Sequence, residues 1–348
     1  MNRREFFTTA GIISATTYMS ACGSSNSSTQ EQTQPKPAGA LSLYYEFKIA
    51  GPEIQNMMSN VSTQATALES KTGFLSLSLK QMIGDSTMVN NFDPSLKGVL
   101  RSAYVDAAQA GRRPFIYTLL IRFDSYDNLI ASGAKDWFTS TIEPQLFAYT
   151  KDANGTPVKT QLPLDYYQGI YQTVAAGDAN GVYTTQADIL TFLKNQKDVA
   201  NAQYQAIPSD GTTSGASISV ENHVSIDDAN TTTVNTKATA LLTVAQQTFQ
   251  PYTTDANGDI VETDGTAGTL SDANYQKAVT TEIMQNAYAN GSTRDYLFHG
   301  VWKSVADHEN SHVDPRFMKA AGPVGAYVVA GPWEPFYQTM IVHNNPNA

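Results

Sequence analysis

Residues 41–49, LSLYYEFKI, alternate apolar and polar side chains, and this period of two predicts a β-strand. Gly51-Pro52 ends the strand, and Pro52 opens a helix with an apolar face. Further segments repeat these patterns: strands at 74–83, 114–123 and 166–174, a helix around 94–110, and a helix that Ser125 caps. The order strand, helix, strand, strand, helix, strand is that of the ferredoxin-like motif.

The second half of the chain resembles a stretched copy of the first. The same patterns predict strands over 216–226, 296–303 and 336–343, and helices over 236–249, over 271–289 and from Ser304 onward. Two such units can pair their sheets into one closed barrel, which removes unpaired sheet edges. The predicted fold class is therefore α+β, with tandem ferredoxin-like units forming an α/β barrel of the dimeric alpha-beta barrel type. The predicted units are 41–175 and 176–348.

Composition excludes several classes of function. The chain has 348 residues, 22 basic and 32 acidic, for a formal charge of -10. This balance argues against nucleic acid as a partner, because a duplex binder needs a basic face. The single cysteine excludes an intramolecular disulfide and a thiolate-ligated metal site. The sequence contains no apolar run long enough for a membrane-spanning helix.

The N-terminus has the pattern of an export signal. Arg3-Arg4 is followed by a short apolar stretch from Gly11, as in the twin-arginine route. Met19-Ser-Ala-Cys22 resembles a lipobox, in which cleavage precedes Cys22 and a lipid is attached to its sulfur. We therefore expect a signal peptide over 1–21, a flexible tether over 22–40, and a periplasmic or cell-surface protein anchored to a bilayer through Cys22. An ordinary signal with an incidental cysteine is the alternative.

Histidines are confined to the second half, at positions 223, 299, 308, 312 and 343. His308 and His312 are four residues apart and would share one face of a helix. Glu334 lies between prolines in Gly331-Pro-Trp-Glu-Pro335, just before a predicted strand, where a carboxylate is costly unless paired or metal-bound. Two histidines and one carboxylate with open positions form the facial triad of mononuclear non-haem iron enzymes.

Three motifs carry a family resemblance: Phe298-His-Gly-Val-Trp302-Lys303, Asp307-His308-Glu309 with His312, and Gly331-Pro-Trp-Glu-Pro-Phe-Tyr337. They resemble the iron-binding region of the sulfur oxygenase reductases, which convert sulfur and dioxygen to sulfite, thiosulfate and sulfide. The resemblance implies paired ferredoxin-like units, one iron bound by His308, His312 and Glu334, a small substrate, dioxygen and a homo-oligomer. The family also uses a cavity cysteine, whereas the only cysteine here is Cys22.

Two other interpretations remain open at this point. His-Glu-Xaa-Xaa-His is also the motif of zinc peptidases, with Glu309 as general base and Glu334 as a third zinc ligand. That class normally carries its third ligand on a second helix, whereas Glu334 lies in a turn before a strand. A lipid-anchored binding protein without catalysis is the other alternative. Residues that could surround the metal ligands are His299, Trp302, Trp333 and Tyr337.

Overall fold

A computed structural model of the chain describes residues 35–85, 103–164, 167–195, 217–262 and 277–345. The predicted signal peptide and Cys22 lie outside these ranges, as does most of the predicted tether. Lys36, in the described end of that tether, forms an exposed ion pair with Asp127 at 2.6 Å. Within the described part of the chain, no helix combines the length and hydropathy needed to cross a bilayer.

The first half begins with the strand formed by LSLYYEFKI. Its strands and α-helices are, in chain order, β1 (Leu41–Ile49), α1 (Ile54–Glu69), β2 (Phe74–Asp85), α2 (Ala103–Gln109), β3 (Phe115–Phe123), α3 (Tyr126–Ala131), α4 (Ala134–Trp137), β4 (Phe147–Lys151), β5 (Pro157–Gln161), β6 (Gly169–Asp178), β7 (Gly181–Tyr183) and α5 (Gln186–Asn195).

The second half repeats much of this order. Its elements are β8 (Ile218–Asp227), α6 (Thr231–Gln247), β9 (Tyr252–Thr254), β10 (Ile260–Glu262), β11 (Ala278–Asn286), β12 (Thr293–Trp302), α7 (Val305–Ser311), α8 (Pro315–Gly325), β13 (Val328–Trp333) and β14 (Pro335–Asn344).

Eight strands close into an antiparallel barrel. Hydrogen bonding runs β1-β3-β2-β14-β8-β12-β11-β6, and β6 also pairs with β1, which completes the ring. The strand order is β6-β1-β3-β2 in the first half and β14-β8-β12-β11 in the second, so each half places its strands in the same relative order. The predicted α+β class and closed barrel are confirmed. The predicted unit boundary at 175 falls within β6, and the division into units stays a prediction.

Helices cover the outside of the barrel. Alternate residues of β1, such as Leu43 and Phe47, share an apolar cluster with Met57 and Val61 of α1. The corresponding cluster of the second half joins β8, β11 and β12 to α6. Because successive strand residues point to opposite faces, the intervening residues of each strand point into the barrel.

The barrel interior contains charged side chains that pair across the two halves. Lys80 Nζ lies 2.9 Å from Glu221 Oε1, and both side chains are almost fully buried. Arg122 donates two hydrogen bonds to Glu282, at 2.8 and 2.7 Å. Each pair joins a residue of the first half to one of the second, so the pairs fix how the halves meet.

The third cross-half pair involves a histidine. His223 Nε2 lies 3.2 Å from Glu46 Oε2, and both side chains are fully buried. Tyr337 donates a hydrogen bond to the same carboxylate oxygen at 3.0 Å. These contacts place His223 inside the barrel, on strand β8.

One predicted helix is wrong. The segment 271–289 was expected to be helical, but its described part contains strand β11. Val, Thr and Ile residues favour a strand there. Both faces of β11 are largely buried, one against α6 and one in the barrel, so the period of two is not visible in its hydropathy.

The tetrapeptide Asp-Ala-Asn-Gly occurs three times in the sequence, at 152–155, 178–181 and 255–258, and each copy forms a hairpin turn. They connect β4 to β5, β6 to β7, and β9 to β10. In each turn the aspartate side chain accepts a hydrogen bond from the backbone N–H two residues on. The repeats therefore have a local structural explanation.

Candidate metal centre

Helix α7 sets the spacing of the histidine pair. The Ser304 hydroxyl caps its first turn by accepting a hydrogen bond from the Asp307 N–H at 3.0 Å. His308 lies within the helix and His312 at its C-cap, and the two rings meet edge to face with centroids 4.5 Å apart. The helix ends before Pro315, which occupies the first turn of α8.

Glu334 reaches the pair from the junction of β13 and β14. Its Oε1 lies 3.3 Å from His308 Nε2, and its Oε2 lies 3.9 Å from His312 Nε2. The carboxylate is 6% exposed, and His308 is 4% exposed. The three side chains that the sequence selected therefore converge in a buried site.

Two further polar residues belong to this site. Asn222 of β8 donates a hydrogen bond from Nδ2 to Glu334 Oε1 at 3.0 Å. Glu309 is buried, and its Oε1 lies 3.5 Å from His308 Nδ1, the ring nitrogen other than the one near Glu334. His308, Glu309 and His312 also form a group whose possible ligand atoms all lie within 4.8 Å of one another. Glu309 is placed to orient the His308 ring, as carboxylates beside metal-bound histidines do.

Aromatic rings surround the histidines. Trp302 and Phe336 contact the His308 ring with centroids 5.1 and 5.4 Å away, both edge to face. Phe317 lies 4.8 Å from the His312 ring. These rings exclude water from the two imidazoles and restrict the orientation of the imidazole planes.

The two histidines have opposite pKa shifts. Burial alone would lower the pKa of His308, but Glu334 and then Glu309 outweigh it and raise that pKa to about 9. Burial dominates at His312 and lowers its pKa to about 4. Burial would raise the pKa of Glu334, yet the facing His308 and His312 lower it. Without a metal, the site holds one imidazolium against one carboxylate at neutral pH.

The donor set fits a metal ion. Glu334 Oε2 is buried and has no hydrogen-bond partner among the described residues, and such an atom is costly unless something satisfies it. Donors about 2.1 Å from a common ion are separated by about 3 to 3.5 Å, close to the 3.3 and 3.9 Å found here. Imidazole and carboxylate suit iron and zinc alike.

Of the four other residues expected near the metal ligands, one contacts the histidine pair and three lie elsewhere. Trp302 packs against His308, as described above. His299 lies inside the barrel, with its Nδ1 3.7 Å from Glu221 Oε1. Trp333 stacks on His223 with centroids 5.5 Å apart, and Tyr337 bonds to Glu46. These last three residues belong to the barrel interior, on the other face of the sheet from the histidine pair.

Sequence reasoning missed Asn222 and left His223 without a role. The available signal was charge within apolar strands: Glu46, Lys80, Arg122 and Glu282 all interrupt such strands. A buried charge requires a partner, and the partners lie in the other half of the chain. No local pattern in the sequence identifies them.

Comparison with known proteins gives two family matches. Residues 174–340 match the CT0912-like C-terminal domain, and residues 40–128 match the ABM-like domain, a fold of the antibiotic biosynthesis monooxygenase type. The second match agrees with the ferredoxin-type fold predicted for the first half. The first match includes all three candidate ligands. The comparison with curated proteins gives no match.

Several solved structures are similar at low identity. A proposed monooxygenase from Fusobacterium nucleatum subsp. nucleatum ATCC 25586 has a TM-score of 0.47 at 10% identity, covering 88% of this chain and 95% of its own. A proposed monooxygenase from Lactobacillus acidophilus NCFM has a TM-score of 0.43 at 8% identity, covering 89% of this chain and 97% of its own. An encapsulated DyP-type peroxidase from Mycobacterium smegmatis has a TM-score of 0.39 at 14% identity, covering 89% of this chain and 95% of its own. None of these is described as a sulfur oxygenase reductase, and no functional conclusion follows from similarities of this size.

Proposed function

We propose that this protein is an oxygen-dependent oxidoreductase with one iron held by His308, His312 and Glu334. One observation carries the proposal: two imidazoles and a carboxylate converge in a buried site, and within the described part of the chain one oxygen of that carboxylate has no hydrogen-bond partner. A donor set of this kind leaves coordination positions open, which is typical of non-haem iron oxygenases. The ABM-like match agrees with an oxygenase.

The protein's own residues prepare the site. Glu309 Oε1 lies 3.5 Å from His308 Nδ1, and a proton held on Nδ1 toward this carboxylate would leave Nε2 as the nitrogen presented to the metal. Trp302 and Phe336 keep the imidazole dry and in place. A bound iron would supply the activation of dioxygen, with dioxygen as oxidant and the substrate as electron donor. Zinc is the alternative metal, because the same donors bind it.

The proposed substrate is a small molecule, with elemental sulfur as the first to test because of the three motifs. The only thiol of the chain is Cys22, so the reaction we propose does not use a cavity cysteine. We also propose that the two halves are ferredoxin-like units, since both place their strands in the same order. Export, lipid attachment at Cys22 and a homo-oligomer complete the proposal.

The deciding experiment is metal analysis followed by an oxygen-uptake assay. The chain without residues 1–22 is purified anaerobically with iron supplied, and its metal content is measured. It is then mixed with sulfur and dioxygen, and oxygen consumption is followed beside that of His308→Ala. Iron binding and oxygen uptake that His308→Ala abolishes would support the proposal.

Other outcomes select the alternatives. Zinc content with chelator-sensitive cleavage of peptides would indicate the peptidase. Absence of any bound metal from the wild-type chain would favour a lipid-anchored binding protein. Iron binding that is equal in His308→Ala and the wild type would place the metal elsewhere.

A further inference from the structure

Two neighbouring residues of β8 contact the turn that carries Glu334, one on each face of the sheet. Asn222 donates its amide hydrogen to Glu334 Oε1 on the side of the histidine pair. His223, the next residue, points into the barrel, where its ring stacks on Trp333 at an interplanar angle of 22°. Trp333 and Glu334 are themselves neighbours, so two adjacent residues of β8 contact two adjacent residues of the turn.

The stack on the inner face is firmly anchored. Besides Trp333, the His223 ring stacks on Tyr167, with centroids 4.1 Å apart. His223 Nε2 lies 3.2 Å from Glu46 Oε2, and Glu46 belongs to β1 of the half that carries none of the candidate ligands. Because these contacts hold the His223 ring in place, Trp333 stacks on a fixed surface. The stack in turn restricts the position of the turn that carries Trp333.

The backbone of the turn is held just as closely. Gly331 has φ +92°, and a Cβ atom there would lie 2.5 Å from the carbonyl oxygen of His223. The turn can approach β8 this closely only because residue 331 is glycine. This contact limits how far the carboxylate can move relative to the two imidazoles.

We propose that Asn222 and the Trp333–His223 stack are positioning groups that hold Glu334 in the geometry needed to bind the metal. The inference rests on the proposed function. It assigns to the N-terminal half, through Glu46, a part in shaping a site to which it contributes no candidate ligand. Neither positioning group needs to touch the metal, because Asn222 leaves Glu334 Oε2 available and Trp333 lies on the other face of the sheet.

The test measures Co²⁺ affinity and the visible spectrum of bound Co²⁺ in the full chain, purified in mild detergent. The variants are Asn222→Ala, Trp333→Leu and Trp333→Phe, of which the last keeps an aromatic ring for stacking. The matched control is Asn128→Ala, because Asn128 also donates a side-chain hydrogen bond to a carboxylate, that of Asp124, but in the other half. Thermal unfolding of each variant without metal reports whether it folds.

We expect Asn222→Ala and Trp333→Leu to weaken Co²⁺ binding by about 10- to 100-fold and to change its spectrum. Trp333→Phe should recover much of the loss, and Asn128→Ala should bind as the wild type does. Affinities of Asn222→Ala and Trp333→Leu within about twofold of the wild type would overturn the inference and leave the proposed function standing.

Two further outcomes are decisive. A wild-type chain that binds no Co²⁺ would overturn the proposed function and the inference together. If Asn222→Ala does not fold, the comparison of Trp333→Leu with Trp333→Phe decides, and equal affinity of those two variants would overturn the role of the stack.

Discussion

The stability of the metal-free protein should depend on pH in a way that the histidine pair determines. His308 has a folded-state pKa of about 9 and His312 one of about 4, against an ordinary value of 6.5 for both. The two residues therefore make opposite contributions on either side of pH 6.5. We predict a maximum of stability near that pH, other groups being equal.

The signs follow from which state holds more protons. Between pH 6.5 and about 9, folded His308 keeps a proton that the unfolded chain has lost, so stability falls as pH rises. Between pH 4 and 6.5, the unfolded chain protonates His312 while the folded chain does not, so stability falls as pH drops. Across each of these two pH intervals, the free energy of unfolding should change by about 3 kcal/mol.

Urea unfolding of the metal-free chain, followed by circular dichroism across this pH range, measures the effect. His308→Gln should flatten mainly the alkaline limb, and His312→Gln mainly the acidic limb, so each variant is the control for the other. A wild-type curve that stays flat within about 1 kcal/mol above pH 6.5 would refute the assigned charge states.

Three other predictions concern protons, buried charge and the turn. Co²⁺ binding at pH 7 should release about one proton, from His308, as measured by calorimetry in buffers of different ionisation enthalpy; zero release would contradict the pKa of about 9. Lys80→Met should cost about 3–5 kcal/mol because it leaves Glu221 buried without its cation, and the double variant Lys80→Met/Glu221→Leu should recover most of that in urea unfolding. A double variant as unstable as the single one would show that the pair is not the cause. Gly331→Ala should weaken metal binding and destabilise the fold by about 1–3 kcal/mol. Gly258→Ala is its control, since Gly258 also has a positive φ, of +83°, but open space at its Cβ; equal metal affinity in the two variants would refute the steric argument.

Much of the fold follows from hydropathy patterns. Strand β1 was predicted with its observed bounds because its apolar residues face α1 and its polar ones face the barrel interior. Strand β11 was missed because side chains on both of its faces are buried. A hydropathy pattern with a period of two shows which side of a strand faces solvent or a polar interior. It gives no such signal where both sides of the strand pack against other side chains.

The candidate site was predictable to a similar degree. The spacing of His308 and His312 fixes their proximity on any helix, and the Gly-Pro turn pointed to Glu334. The site's link to the barrel interior was not predictable, because it depends on which strands become neighbours when the ring closes. Asn222 and Trp333 are ordinary residues in sequence, and only the pairing of β8 with β13 gives them a role.

The central claim is that His308, His312 and Glu334 bind one metal ion. The most direct measurement is the metal content of the anaerobically purified wild-type chain beside Glu334→Ala and His308→Ala, with metal-free thermal unfolding to verify folding. The account predicts about one iron per wild-type chain and almost none in either variant. A wild-type chain without metal, or variants that retain it in full, would contradict the account.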